Sequence, residues 1–399
     1  MSLENKSKYS IVRAISFIRG MVPSLINLLI FKKNTNVIIV SSQFNETFEH
    51  NSKYFFLYLL DNQHRHDYKI YYVVNDDNKR SELVSSYGDY FITNTRIEDI
   101  VKIICAKNWV ISSFETPILG FFLSFKRNVI HLSHGSPLKS IGLNVKNLGI
   151  VRKIYYGIVK HNITYFCSSG AVFDNAWITC LSSSPKYIIK TPMIRNDERL
   201  IHRHRKDFIL RSNKNDKAIL YAPTWRPSTE VDLFPFDDFS ATELSKFLDL
   251  NNIILYIRLH PNFFISEIEK ISKIKKIKRV VFLTNDKLED INEVLFDFDI
   301  LITDYSSIYV DYLLTLKPII FLPYDLDNYN KEVGFSIDYY KFTPGPKPKS
   351  FSVFLENIIR SISDKGYFMK ERQKANRLLN IKSDNRADDF FMEIRKYLD

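Results

Sequence analysis

Short β-rich apolar runs alternate with stretches of helical periodicity along most of this chain, and that rhythm restricts it to an α/β fold built on parallel sheets. A first series predicts strands at Val37–Ser42, Lys69–Val74, Trp109–Ser112, Val129–His134 and Tyr165–Ser168, with helices at Lys53–Leu60, Asn78–Tyr87 and Ile97–Ala106. A second predicts strands at Ala218–Tyr221, Ile253–Leu259, Val280–Thr284, Ile300–Thr303 and Pro318–Leu322, with helices near Ala241–Leu250, Ile265–Ile274 and Leu288–Leu295. Between them the charge-dense stretch Asp197–Asp216, carrying His202-Arg203-His204-Arg205-Lys206, reads as an exposed connection. The expected organisation is a helical segment at 1–35, α/β domains at 36–200 and 201–375, and a final helix within 376–399. In that helix Phe390, Phe391, Ile394 and Leu398 recur at helical spacing and suit packing back across both halves. A length of 399 residues is likewise too great for one ordinary core.

The segment Ile11–Phe31 is apolar but interrupted by Arg13, Arg19, Gly20 and Pro23, which argues against a membrane-spanning helix. It carries no small-residue cleavage pattern of a secretory signal. Two readings stand side by side: short helices lying on an anionic membrane surface, with Lys32 and Lys33 beside them, or a helix packed on its own domain. The 56 basic and 45 acidic side chains leave a net charge of +11, which favours a polyanionic partner such as nucleic acid, an anionic membrane or a phosphate-bearing substrate. Cys105, Cys167 and Cys180 are odd in number and lack C-x-x-C spacing, so a reducing compartment is expected, without a disulfide framework or zinc site.

Ligands of open α/β sheets bind outside the carboxyl ends of the strands, so the polar turns there are where chemistry is expected. His134-Gly135-Ser136-Pro137-Leu138-Lys139 closes one strand. A histidine there titrates near working pH and suits a general base, Gly135 allows a ligand close to the backbone, and Lys139 can meet a phosphate. His131, on the sheet itself, reads as structural. In Tyr221-Ala222-Pro223-Thr224-Trp225-Arg226 the arginine can fork onto a phosphate, while Trp225 reads as packing. Alternation puts Arg258 and His260 on one side of a strand end stopped by Pro261, two donors suited to phosphate. His202 and His204 sit in a charge run without further ligands and read as solvated. In Thr303-Asp304-Tyr305-Ser306-Ser307, Ser306 and Ser307 fall where a strand gives way to a helix, with N–H groups and hydroxyls available to an anion or to the helix cap. Asp304, Asp311 and their acidic neighbours have three open roles: ordering a ribose, binding a donor hydroxyl, or capping a turn.

In this order, the motifs resemble the CDP-glycerol glycerophosphotransferase family, which includes teichoic-acid primases and polymerases and their CDP-ribitol relatives. The matching segments are HGSPLKSIG from His134, MIRND from Met193, YAPTWR from Tyr221, RLHP from Arg258, TDYSSIYVDY from Thr303, KPIIFLPYD from Lys317 and the Gly334–Pro346 run. The resemblance implies a GT-B fold, two Rossmann-like domains facing a cleft, with the donor nucleotide on the C-terminal domain. It assigns catalytic roles to His134, as general base, and to His260, which with Ser306 and Ser307 would hold the donor pyrophosphate. Gly135, Lys139, Arg226, Arg258, Thr303, Asp304 and Asp311 complete the expected substrate site. Ser136 stands where relatives often carry threonine. The proline of the MIRND segment is displaced to Pro192, which lowers the weight of Arg195 and Asn196.

The implied reaction is transfer of an alditol phosphate from CDP-glycerol or CDP-ribitol to a hydroxyl of a lipid-linked or polysaccharide acceptor. CMP leaves, no metal or cofactor is expected, and the place is the cytoplasmic face of a bacterial membrane. Teichoic acid and a glycerol-phosphate-containing capsule are both open as products. Two other readings compete: a GT-B nucleotide-sugar glycosyltransferase or epimerase, and a basic nucleic-acid-binding protein. The dispersed positive charge and the lack of a recognised binding module weigh against the second.

Overall fold

A computed structural model describes residues 3–146, 148–182, 187–226, 230–259 and 268–398. Its contacts divide the chain into two compact units, residues 2–204 with 381–399 and residues 205–380. The N-terminal unit opens with α1 (Leu3–Leu29), then runs β1 (Asn34–Ser41), α2 (His50–Asp61), β2 (Lys69–Val73), α3 (Asp77–Tyr87), β3 (Phe91–Ile92), α4 (Ile97–Cys105) and β4 (Ala106–Ile111). It continues with β5 (Asn128–His131), α5 (Ile150–Val159), β6 (Tyr165–Ser168), α6 (Asp174–Cys180), β7 (Ile188–Lys190) and α7 (Glu198–His204). All seven strands pair in parallel in the order β3-β2-β1-β4-β5-β6-β7. The register brings Ser41 level with Val73 and Ile111, and Ile111 level with His131, so their following loops gather along one edge.

The C-terminal unit runs β8 (Lys217–Ala222), α8 (Ala241–Leu250), β9 (Ile253–Ile257), α9 (Ile268–Lys275), β10 (Val280–Phe282), β11 (Ile300–Thr303), α10 (Ile308–Tyr312) and β12 (Ile319–Phe321). Helices α11 (Leu326–Glu332), α12 (Tyr339–Phe342), α13 (Phe351–Ser363) and α14 (Met369–Leu379) follow. Its sheet is parallel, in the order β10-β9-β8-β11-β12. Strand residues such as Ile219, Leu255, Ile302 and Ile320 bury with Phe234, Phe351 and Phe354 in one core, each such side chain contributing roughly 1.5–3 kcal/mol of transfer free energy. Both sheets have the doubly wound order, reversing direction between β1 and β4 in one and between β8 and β11 in the other.

The last helix, α15 (Arg386–Arg395), packs on the N-terminal unit, with Phe390 against Phe55 and Phe391 against Tyr58. Helix α1 is one continuous helix despite Pro23. The carbonyl of Gly20 accepts a hydrogen bond from Ser24 Oγ at 2.6 Å, within the turn that proline disturbs. One face of α1 packs on its own unit: a Cβ on Gly20 would fall 1.6 Å from the Leu119 carbonyl oxygen, and Asn27 Nδ2 donates to the Phe122 carbonyl at 2.9 Å. The opposite face leaves Ile18, Val22, Leu25 and Leu29 exposed in a stripe at helical spacing. No described helix is long and apolar enough to cross a membrane.

Several expectations shift at element ends. The strand predicted to reach His134 stops at His131, because Ser133 takes a left-handed conformation (φ 65°). The one predicted to Leu259 stops at Ile257. The helix expected at Leu288–Leu295 is instead two short 3-10 turns, Ile291–Glu293 and Leu295–Asp297. The expected open connection begins as α7, whose Leu200 and Ile201 are buried. Strands β3 and β7 escaped prediction, being two and three residues long.

Candidate functional site

In the N-terminal unit the turn after β5 carries His134. Two side chains from elsewhere hold that turn. Asn51, near the start of α2, donates from Nδ2 to the carbonyls of Leu132 (3.0 Å) and Ser133 (2.9 Å), and its Oδ1 accepts from the Arg195 N–H at 3.2 Å. Arg195 in turn donates from Nη1 to the carbonyl of His134. The His134 ring is hydrogen-bonded to the backbone of Ser112, lies 5.8 Å from the His50 ring, and keeps a solvent-accessible side. Crowding by protein, reinforced by His50 and Arg195, pushes its pKa down to about 4. The imidazole is therefore neutral at pH 7. A neutral imidazole has one ring nitrogen able to accept a proton.

His131, three residues earlier, is a core residue. It is 1% exposed, stacks on Phe114 at 5.1 Å, and is pushed down to about 3 by burial. Lys139 is partly buried in the same loop. His50, Glu49 and Asn51 were not singled out from sequence; they lie at the far end of the loop that follows the first strand, eight to ten positions beyond Ser41. His50 sits at φ 61°, with Nε2 3.3 Å from Glu49 Oε1. Arg195, given low weight from sequence, is one of the two groups that fix the His134 backbone.

In the C-terminal unit the loops after β8, β11 and β12 are tied by one buried cation. Arg226, 2% exposed, donates from Nε and Nη2 to the two oxygens of Asp325 (2.9 and 2.8 Å) and from Nη1 to Asp304 Oδ2 (2.7 Å). Burial opposes its charge, but Asp304 and Asp325 outweigh that and hold its pKa above the ordinary arginine value. Asp304 also accepts from the Thr224 and Tyr305 N–H groups at 2.8 and 2.5 Å, and the Tyr305 hydroxyl donates to Asp325 at 2.8 Å. Thr303 Oγ1 donates to the Ala222 carbonyl at 2.7 Å.

These contacts correct several expectations. Arg226 does not present its fork to a phosphate, because two carboxylates occupy it. Asp304 and Thr303 are likewise spent on the backbone and on Arg226 rather than held toward a ligand. Arg258 donates to the carbonyls of Leu283, Leu288 and Glu289 and to Asn285 Oδ1, at 2.7–3.1 Å, and so pins the loop after β10. Its partner in the sequence reading, His260, lies outside the described residues. Asp311 is buried in the first turn of α10. His204 is not solvated as expected: its Nε2 lies 2.9 Å from Asp61 Oδ2. No cluster of potential metal ligands occurs among the described residues.

What the network leaves partly exposed are Ser306 and Ser307, in the turn that follows β11 at the point where the sheet order reverses. Ser307 precedes α10 without capping it through its side chain, and Ser306 Oγ accepts only a long contact, 3.4 Å, from the Ile308 N–H. Helix α10 has five residues, too short for a large dipole, so hydroxyls and N–H groups are the polar groups this turn presents.

Residues 24–392 match the family model described as CDP-Glycerol:Poly(glycerophosphate) glycerophosphotransferase. A teichoic acid poly(glycerol phosphate) polymerase of Bacillus spizizenii is 28% identical over 366 residues, covering 86% of this chain and 87% of that protein. A teichoic acid glycerol-phosphate transferase of Staphylococcus aureus is 29% identical over 333 residues, covering 78% and 80%. Among solved structures, the wall teichoic acid polymerase TagF soaked with CDPG superposes with a TM-score of 0.71 at 19% identity, covering 94% of this chain and 92% of that one. A UDP-N-acetylglucosamine 2-epimerase from Listeria monocytogenes gives 0.54 at 10% identity, covering 90% and 94%, a likeness of fold alone.

Two doubly wound Rossmann-like units of this kind define the GT-B fold class. The chain belongs to the CDP-glycerol:poly(glycerophosphate) glycerophosphotransferase family, and is an enzyme of teichoic-acid-type polymer synthesis.

Proposed function

We propose that the protein transfers glycerol phosphate from CDP-glycerol to a hydroxyl of a lipid-linked polymer acceptor, with His134 as the base. The observation that carries this is a neutral, solvent-facing imidazole whose turn is fixed by Asn51 and Arg195. The acceptor O–H gives its proton to the unprotonated imidazole nitrogen as its oxygen attacks the β-phosphorus. A new P–O bond forms, the bond to the bridging oxygen breaks, and that oxygen leaves with CMP. Phosphoryl transfer asks mainly for positioning and for neutralisation of spread negative charge. Ser306 and Ser307 offer hydroxyls and N–H groups to the donor pyrophosphate, in a turn anchored by Arg226 through Asp304. His260 is assigned to the same pyrophosphate on its place in the RLHP motif, and Lys139 to the phosphoryl oxygens. The proposed step calls on no metal or cofactor.

The exposed stripe of α1, together with exposed Ile150, Val151 and Ile154 of α5 and nearby Lys32 and Arg152, supports association with the surface of an anionic membrane. Replacing Ile18, Val22, Leu25 and Leu29 by serine should release the protein from anionic vesicles, and unchanged sedimentation would remove this element. The transfer reading is tested by following CMP or UMP and UDP release from CDP-glycerol, CDP-ribitol and UDP-sugars with purified protein. Preferred use of CDP-glycerol is expected. Turnover of UDP-sugars only would overturn it.

A further inference from the structure

We propose that His50 is a second catalytic histidine, donating a ring N–H to a non-bridging oxygen of the phosphoryl group transferred at His134. The proposal rests on the transfer reading above and adds a residue to it. The two imidazoles lie 5.8 Å apart between ring centres and are inclined by 55°. An attacked phosphoryl group spans such a separation, with the acceptor oxygen at one ring and a non-bridging oxygen at the other.

The position of His50 is fixed from both sides. Asn51, the next residue, is fully buried and donates to the Leu132 and Ser133 carbonyls, which bolts the start of α2 to the turn that carries His134. On the other side Thr47 Oγ1 donates to Glu49 Oε1 at 2.7 Å, and that oxygen lies 3.3 Å from His50 Nε2. His50 itself takes a left-handed conformation (φ 61°), which a non-glycine residue keeps only where its surroundings impose it. The side chain is 25% exposed, and Nδ1 has no hydrogen-bond partner among the described residues.

An imidazolium donates from both nitrogens, and here Glu49 takes one and leaves Nδ1 for an anionic oxygen. A fixed donor at an oxygen whose charge changes during transfer favours the transition state over the ground state. Such donors are needed, because Arg226 and Arg258, the cations expected from sequence to meet phosphate, are taken up by carboxylates and carbonyls of the protein. His50 keeps its proton throughout, and the proton of the acceptor hydroxyl goes to His134. Burial first, and then the neighbouring His50 and Arg195, keep His134 neutral until that moment.

The test uses the full chain, the variants His50→Ala and His50→Asn, and CDP-glycerol carrying sulfur for one non-bridging oxygen of the β-phosphorus, each diastereomer separately. His50→Ala should lower kcat for CMP release about ten- to a hundredfold, the size expected for losing a hydrogen bond to a charged group. His50→Asn tolerates the left-handed backbone and keeps an N–H near the place of Nδ1, and should recover part of that loss. Sulfur accepts hydrogen bonds weakly, so one diastereomer should be slow with wild type and cost His50→Ala nothing further. A kcat for His50→Ala within about twofold of wild type overturns the proposal, and so does a loss equal for oxygen and both sulfur forms, the mark of a structural role. If the wild-type protein releases no CMP, the transfer reading itself fails, and titration of the [15N]histidine-labelled chain with glycerol phosphate then decides His50 separately. Movement of its ring nitrogens to doubly protonated shifts, a signal absent from His50→Asn, sustains the phosphate contact, and unmoved nitrogens overturn it.

Discussion

Arg226 grips Asp325 through two parallel hydrogen bonds, 2.9 Å from Nε and 2.8 Å from Nη2, and joins the ends of three strands that are far apart in sequence. Asp304 takes the third bond, and the rings of Tyr305, Tyr324 and Tyr329 lie within 4.8–5.2 Å of the guanidinium carbon. The cation is an organiser of the turn that carries Ser306 and Ser307. Removing it would strand the buried carboxylate of Asp304 and the partly buried one of Asp325.

Arg226→Met should therefore destabilise the protein by about 3–5 kcal/mol, the range for breaking a buried ion pair from one side. Urea denaturation followed by circular dichroism measures this. Arg226→Lys keeps the charge but loses the fork, and should recover only part of the loss.

His134→Ala should lower kcat by about 10²–10⁴, the usual contribution of a positioned base, with the melting curve unchanged. Near-normal turnover would remove His134 from the mechanism. Because its pKa is held below the ordinary histidine value, activity should persist as pH falls through 6.5 and be lost only at lower pH, as the imidazole takes up a proton. An acid-side inflection above pH 6.5 in kcat/KM would contradict that environment.

His131 links pH to stability rather than to catalysis. Its folded pKa, about 3, lies below the unfolded value near 6.5, so the unfolded chain binds the extra proton first. Stability is fully present above pH 6.5 and declines between there and pH 3, by at most ~1.4 kcal/mol per pH unit for one such group. His131→Phe, which keeps the stacking on Phe114, should flatten this part of a Tm-against-pH curve.

Ser306→Ala with Ser307→Ala should raise the KM for CDP-glycerol by roughly ten- to a hundredfold, the cost of one hydrogen bond to a charged group. Isothermal titration with CDP-glycerol separates this from a change in kcat. Equal affinity in wild type and the double variant would reassign the two serines to the turn alone.

Gly20→Val should loosen α1, since its Cβ would overlap the Leu119 carbonyl and the helix has no room to yield without moving. Faster amide exchange across residues 13–29, with the core strands still protected, is the expected signature.

Most of the architecture was legible in the sequence, because buried parallel strands such as Ile38–Val40 and Ile300–Ile302 must be continuously apolar and the helices between them amphipathic. The position of His134 and the serine pair in turns just after buried strands was legible for a related reason: the apolar runs that mark those strands end there. Which polar groups are taken up by their neighbours was decided only by the tertiary structure. Arg226 and Arg258 look alike as strand-end cations, but Asp325 lies about a hundred positions from the one and the carbonyls of 283–289 some thirty from the other. Arg195 and Asn51 meet at the His134 turn across 144 positions. Side-chain pairing between distant loops follows from strand order and register, which a one-dimensional pattern of apolar and polar residues does not contain.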